Sequence, residues 1–370
     1  MLQMQSLVSA DGQLSLRLVE VDRPTPGPGE VLVRVEATPI NPSDLGMLLA
    51  GADLDSIEAA DFGGQPGITA TIPAAALGGL TGRLDQSLPC GNEGAGVVVE
   101  AGEGAEDMIG KTVAMLGGAM YTEYRVVPLA QLLVLNEGTT AVEAASCFVN
   151  PLTALAMVDT MRADGHTALV HTAAASNLGQ MLVKICAADG VDLVNIVRRP
   201  EQAETLRSLG AHYVVDSSQD SFQDDLVAAL AATKATVAFD ATGGGRLADR
   251  ILHAMEAAAG LDSSTTYSRY GSTVYKHVYI YGGLERSVTE LTRTYGMSWG
   301  VGGFLLTNFM IKAGPERAQE LRKRVADEIT TTFASSYSAE VGLQAALEPA
   351  HLAVYARQAT GEKYLIRPQV

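Results

Sequence analysis

The sequence predicts an α/β fold in two parts, a doubly wound parallel sheet inserted into a β-rich, partly barrel-like domain. Three observations lead there. The chain has 370 residues, more than one apolar core usually serves. Its earlier part is written in short alternating runs separated by turn residues, the pattern of half-buried strands. From about Thr139 that rhythm gives way to strand-like and helix-like runs in alternation, the pattern of a parallel sheet covered on both faces. The expected division is 1–138, 139–334 and 335–370, with the last stretch returning to the first domain.

Between Leu14 and about Val134 the strand-like runs are LSLRLVEV, VLVRVEAT, GAGVVVEAG, KTVAML and EYRVV, the first two separated by a Pro- and Gly-rich turn at 24–29. Residues 51–89 shift to Gly, Ala, Asp and Pro without clear period, which reads as a long surface insertion outside the core, of the kind that forms lids. In the second part the strands are TALVHTA, DLVNIV, HYVVD, ATVAFDAT and HVYIYGG. Helical runs at 178–188, 201–209, 222–232 and 247–258 lie between them, with apolar residues three and four apart. The polar stretch 262–272 reads as a loop, and an amphipathic helix is expected from Pro315 to about Phe333.

A formal charge of -16 disfavours nucleic acid and anionic lipid, whose recognition needs clustered Lys and Arg. A small electrophilic molecule is the expected partner. Cys90, Cys147 and Cys186 are odd in number and form no CxxC pair, so buried free thiols in a reducing compartment are expected. The opening MLQMQSLVSADGQL has no basic start and apolar run, no arginine precedes Arg17, and no apolar run, including 302–310, is long enough for a bilayer. A soluble, cytoplasmic protein is the expectation.

The chemistry concentrates after TALVHTA. There AAASNLGQ makes a strand-to-helix turn where a pyrophosphate would meet a helix N-terminus, as in a Rossmann site. Ala174 and Ser176 replace the first two glycines of GxGxxG and Gly179 keeps the third, so the motif fits either a phosphate cradle or an ordinary turn. DLVNIV then ends in Arg198 and Arg199, where an NAD site carries an acid for the ribose hydroxyl. A guanidinium there suits a 2′-phosphate, so NADPH is the expected cofactor; a solvated arginine pair opening a surface helix is the alternative. FDATGGG and YIYGGL place further glycines at strand ends, bordering the nicotinamide side.

With these residues in place, the chain resembles the zinc-independent medium-chain dehydrogenases/reductases, a group including quinone oxidoreductases, and is closest to NADPH-dependent trans-2-enoyl thioester reductases. The resemblance runs through ATPINPSDL at 37–45, GNEGAGVV at 91–98, FVNPLTAL at 148–155, AAASNLGQ with NIVRR, YIYGG at 279–283, GFLLTNF at 303–309 and the closing GEKYLIRP. It implies a GroES-like substrate domain around the Rossmann domain, and a homodimer with HVYIYGG as the edge strand through which two copies pair. It also implies cofactor contacts at Ala174, Ala175, Ser176, Asn177, Leu178, Gly179, Arg198, Arg199, Thr242, Tyr281, Gly282, Gly283, Phe304, Leu305 and Lys363. Asn41, Asp44 and Thr153 are implied to line the nicotinamide and substrate pocket at the domain cleft. For Asn41 and Asp44 an Asx-type turn is the alternative, and for Thr153 a helix residue bonded to its own backbone.

Zinc-dependent relatives of this group carry cysteine near Asn41, histidine at Asn92 and cysteine near Val149. Glu93 alone does not make a zinc site, and His166, His171, His212, His253, His277 and His351 form no ligand-spaced pair, so no metal is expected. The implied reaction is hydride transfer to the β-carbon of an activated C=C, followed by protonation at the α-carbon. One departure stands out. Enoyl thioester reductases have a tyrosine shortly after NPSD, whereas this chain has GMLLAGADLD and no tyrosine before Tyr121. Asp53 lies near that position, and water or Tyr124 are other proton sources. A quinone reductase and a crystallin-like nucleotide-binding protein without turnover are the rival readings.

Overall fold

The computed structural model describes residues 1–261, 268–359 and 361–370. By its internal contacts the chain divides into two compact units, one formed by Met1–Val149 with Arg322–Val370, the other by Asn150–Leu321. These dividing points differ from the expected 138/139 and 334/335, and hydrogen bonds explain why. Phe148 and Val149 donate their backbone N–H groups to Glu93 of the first unit. Arg322 donates to the Ala130 carbonyl, and Asn136 donates to that of Ala326.

The first unit holds two sheets. In Gln13–Glu20, Leu14, Leu16 and Leu18 are buried while Gln13 is exposed, the period-two pattern of a half-buried strand. It pairs with Leu2–Val8 on one side and Pro66–Thr71 on the other, with Leu16 opposite Ile68. This corrects the reading of residues 51–89 as a surface insertion outside the core. Ile68, Ala70 and Ile72 are buried in the same cluster as Leu14 and Leu16, and Glu58–Asp61 extends the sheet. The second sheet is built on Glu30–Pro39, which pairs with Glu93–Ala101, Tyr124–Pro128 and Tyr364–Ile366. Residues 335–370 therefore complete a sheet begun more than three hundred positions earlier.

The second unit is a 6-stranded parallel sheet in the order Tyr213–Asp216, Asp192–Val197, Ala168–His171, Val237–Asp240, Lys276–Ile280, Trp299–Gly303. Val170, Val194, Ala238 and Val278 pack on Phe222, Leu226, Ile251 and Met255 of the helices Phe222–Thr233 and Leu247–Gly260. HVYIYGG is not the edge strand: Lys276–Ile280 lies between two neighbours, and Trp299–Gly303, which the sequence reading missed, forms that edge. The expected helix from Pro315 to Phe333 is instead Leu306–Asp327, broken at Gly314 (φ 81°) just before Pro315. Of the loop expected at 262–272, residues 262–267 lie outside the described residues. Among the described residues no helix is long and apolar enough to cross a membrane.

Candidate active site

In the second unit, the first strand runs into a turn that only a glycine permits. A Cβ on Gly179 would lie 2.0 Å from the Ala174 carbonyl oxygen, so the helix Asn177–Asp189 can approach the strand end only because the side chain is missing. Ser176 caps that helix, its Oγ accepting from Gly179 N at 3.2 Å. Ala174 and Ala175 are buried beneath the turn, and Ala174 N donates to Ile196 O at 3.1 Å. That bond ties the turn to the second strand two residues before Arg198. Arg198 and Arg199 are both exposed at its end, and the Arg198 backbone N donates to Gln202 Oε1 at 3.1 Å. A helix N-terminus with two cations beside it favours an anion.

The neighbouring strand ends are held by a buried carboxylate. Asp240 accepts from Thr172 Oγ1 at 2.7 Å, Thr242 N at 2.9 Å and Gly243 N at 3.1 Å. Gly282 lies against Ala241, whose oxygen a Cβ would meet at 2.5 Å, while Gly283 has open space around it. Tyr281 reaches back to the first strand, where its hydroxyl is 2.7 Å from His171 Nε2 with the rings stacked 5.8 Å apart. Burial pushes His171 down to about 3, so the imidazole is neutral; among the described residues its buried Nδ1 has no hydrogen-bond partner. Phe304 packs edge-on to Phe239, Leu305 is exposed, and Thr153 is buried in the helix Val149–Ala163.

In the first unit, Asn41 and Asp44 are both buried and form one end of a polar cluster. Asp44 accepts from Asn41 N and Asn92 N, each at 2.8 Å, so the turn alternative describes their local geometry. Asn41 also does more, donating from Nδ2 to Glu93 Oε1 at 2.8 Å. The other Glu93 oxygen accepts from Phe148 N at 2.9 Å and Val149 N at 2.8 Å. Lys363 donates to Ser146 Oγ at 2.7 Å, and Ser146 Oγ lies 2.8 Å from the Tyr337 hydroxyl. Burial raises Asp44 to about 7 and raises Glu93 too, against the opposing pull of Lys363. Burial lowers Lys363 to about 8, while Glu93 and Asp44 act to raise it. Asn41, Asp44 and Lys363 thus belong to one unit; Thr153, the 174–179 turn, the arginine pair and the residues at 242, 281–283, 304 and 305 belong to the other.

A family model for the alcohol dehydrogenase GroES-like domain matches residues 27–137, and a model for zinc-binding dehydrogenase matches residues 178–261. The chain belongs to the medium-chain dehydrogenase/reductase family. Within this family, the rat synaptic vesicle membrane protein VAT-1 homolog is 30% identical over 210 residues, covering 55% of this chain and 44% of the relative. The mitochondrial enoyl-[acyl-carrier-protein] reductase of Caenorhabditis elegans is 29% identical over 211 residues, covering 54% and 52%. The chain spans about half the length of the curated relatives it matches. Among solved structures, a putative NADPH:quinone reductase from Mesorhizobium loti superposes with a TM-score of 0.72 at 25% identity, covering 99% of this chain and 97% of that one. The Escherichia coli quinone oxidoreductase, complexed with NADPH, gives 0.72 at 17% identity over 100% of both chains, a likeness of fold alone.

The zinc named in one of those family models does not suit this medium-chain chain. Glu93 spends both oxygens on N–H donors, Asn41 offers it an amide, and Asn92 donates to Ser43 Oγ at 3.1 Å. Such a donor set lacks the thiolates and imidazoles that bind zinc. Among the described residues no group of three or more His, Cys, Asp or Glu is placed to hold a metal. Sequence reasoning missed Ser146 and Tyr337, named Glu93 only to dismiss it as a ligand, and treated His171 as one histidine among six. The burial of an acid inside GNEGAGVV, an otherwise apolar and glycine run, was the available signal for Glu93.

Proposed function

We propose that this chain is an NADPH-dependent, zinc-free reductase that transfers hydride to the activated C=C of an α,β-unsaturated carbonyl compound or enoyl thioester. The observation that carries the reading is the glycine-pinned turn at 174–179 tied by Ala174 to the strand that ends in exposed Arg198 and Arg199. The turn and the helix behind it hold the pyrophosphate, and the arginine pair holds the 2′-phosphate through forked guanidinium donors. Thr242, Tyr281, Gly282, Gly283, Phe304 and Leu305 border the nicotinamide end, with Asp240 holding the backbone N–H groups of Thr242 and Gly243 and His171 holding the Tyr281 hydroxyl. When bound, NADPH supplies the hydride. Asn41 and Asp44 set the shape of the polar cluster in the first unit, and Thr153 borders the nicotinamide from its helix in the second.

The curated relatives named as enoyl-[acyl-carrier-protein] reductases support the alkene substrate. A quinone acceptor is the second reading, supported by the solved neighbours named NADPH:quinone reductase. We further propose a homodimer joined through the open edge Trp299–Gly303, and residence in a reducing, cytoplasmic setting, for which the three buried free thiols speak. Purified protein titrated with NADPH and NADH, then assayed on a panel of enones, enals, enoyl thioesters and quinones, tests the reading. Preference for NADPH with alkene turnover is expected; equal affinity for both coenzymes, or no turnover across the panel, overturns it.

A further inference from the structure

A short strap of exposed residues in the second unit carries an acid towards the arginine pair. We propose that this acid, Glu285, sets the strength of the coenzyme preference, because its carboxylate competes with the coenzyme's 2′-phosphate for Arg198. The inference rests on the NADPH reading above, and every residue it uses lies in the second unit.

The strap is a two-stranded sheet of its own. Beyond the ends of Val237–Asp240 and Lys276–Ile280, the segments Gly243–Gly245 and Glu285–Thr289 pair in parallel, with Gly243 opposite Glu285 and Gly245 opposite Thr289. Asp240 anchors the first segment through Gly243 N. Glu285 N donates to Thr242 O at 2.9 Å, Thr289 Oγ1 to Gly243 O at 2.6 Å and Glu290 N to Gly245 O at 2.9 Å. Gly244 is bare because a Cβ there would stand 2.5 Å from the Ser287 carbonyl oxygen and 2.9 Å from Glu285 Cγ. All of Glu285–Thr289 is exposed, so these backbone bonds, and not burial, place the strap.

Sheet order carries the strap towards the adenosine side. Arg198 follows Asp192–Val197, and two strands, Ala168–His171 and Val237–Asp240, separate that strand from Lys276–Ile280. At the usual strand spacing the two strand ends lie roughly 14 Å apart, across the turn assigned to the pyrophosphate. The chain from Ile280 to Glu285 can cover about 17 Å when extended, and the arginine side chain shortens the gap. Glu285 Oε1 accepts from Ser287 N at 2.9 Å. That N–H foremost, then the Ser287 hydroxyl, with the Arg198 guanidinium as the cation in reach, hold the carboxyl below the usual carboxylate range. It is therefore an anion at neutral pH.

Arg198 thus has a fixed negative charge within electrostatic reach before any coenzyme arrives. A 2′-phosphate must draw the guanidinium away from that carboxylate and settle beside a like charge. A bare ribose hydroxyl meets neither cost, so Glu285 narrows the gap between the two coenzymes.

The test is calorimetric titration with 2′,5′-ADP and 5′-AMP, which differ in the 2′-phosphate alone, on the wild type, Glu285→Gln, Glu285→Lys and Arg198→Ala. Glu285→Gln is expected to bind 2′,5′-ADP about 3-fold more tightly, the scale of one exposed charge pair, while 5′-AMP moves by less than about 2-fold. Glu285→Lys should bind 2′,5′-ADP more tightly still. The gain should fade between ~0.02 M and ~0.5 M salt as screening shortens, which a change in the strap's shape would not do. On an Arg198→Ala background, Glu285→Gln should add little, because the cation competed for is gone. NADPH and NADH should show the same change in preference. An unchanged ratio of the two affinities in both Glu285 variants, or the same gain with Arg198 already removed, overturns the proposal and leaves the reductase reading standing. A wild type that binds neither NADPH nor 2′,5′-ADP overturns both.

Discussion

Gly179 and Ala174 touch so closely that the smallest side chain would not fit between them, with a Cβ placed 2.0 Å from the Ala174 carbonyl oxygen. Gly179→Ala must therefore push the helix Asn177–Asp189 off the strand end. Overpacking of this kind costs about 1–3 kcal/mol. Urea unfolding should register that loss, and NADPH affinity should fall with it because the turn itself is displaced.

Arg198 and Arg199 make a different prediction, since both are exposed and neither is needed for the core. Replacing both with alanine should leave the melting temperature nearly unchanged. Charged hydrogen bonds to phosphate are worth roughly 1.5–3 kcal/mol each, so NADPH should bind at least ~10-fold more weakly while NADH binding hardly moves. Isothermal titration with the two coenzymes measures the difference directly.

Asp44 links stability to pH. Burial lifts its carboxyl from 3.8 to about 7, so between those values the unfolded chain has released a proton that the folded chain retains. Folding binds that proton, and the stability it confers is present below about 4 and lost as pH rises through 7. The full effect is on the order of 4 kcal/mol. Asp44→Asn cannot titrate, so the wild type's advantage over it should shrink between pH 4 and pH 7 in paired denaturation curves.

His171 works in the opposite direction, because burial lowers it to about 3. Its unfolded form gains a proton near 6.5 that the folded form refuses, so this part of the stability is lost as pH falls from about 6.5 towards 3. Its bond to Tyr281 is separable from that effect. A double-mutant cycle with His171→Phe and Tyr281→Phe, run at pH 8, should give a coupling of about 1 kcal/mol, the net worth of one buried hydrogen bond.

Arg83 fastens the segment that sequence patterning assigned to the surface. Its guanidinium donates to Met47 O at 3.1 Å and Ser6 Oγ at 2.9 Å. Arg83→Met should destabilise the first unit by about 1–3 kcal/mol, leaving those acceptors unmet. Amide exchange should quicken across residues 78–88 before it quickens in Glu30–Pro39.

The contrast between strands explains what the sequence could disclose. DLVNIV is readable because a run of Leu, Val and Ile buried on both faces has few other uses. Trp299–Gly303 carries Gly300, Gly302 and Gly303, and glycine has almost no strand preference. Its bareness is imposed from outside: a Cβ on Gly300 would stand 2.5 Å from the Tyr275 hydroxyl and 2.8 Å from His277 Nδ1. PGITAT was hidden for a related reason, its buried positions including Gly67 and Ala70, which weigh little in an apolar count. The Asn41–Asp44 turn was legible because all its residues are neighbours in sequence. Ser146 and Tyr337 were not, because their contact joins positions 191 apart and neither lies in a motif.

The return of Tyr364–Ile366 to Glu30–Pro39 bears on how the polypeptide matures at the ribosome. Domains tend to fold as they emerge, so Asn150–Leu321 can settle while the earlier unit still waits for the strand that seals it. Until then, Thr38 and Pro39 of the waiting sheet border an unfilled slot, open to a stray strand from another nascent chain. Folding helpers that shield such slots should matter more during translation of this protein than after its release.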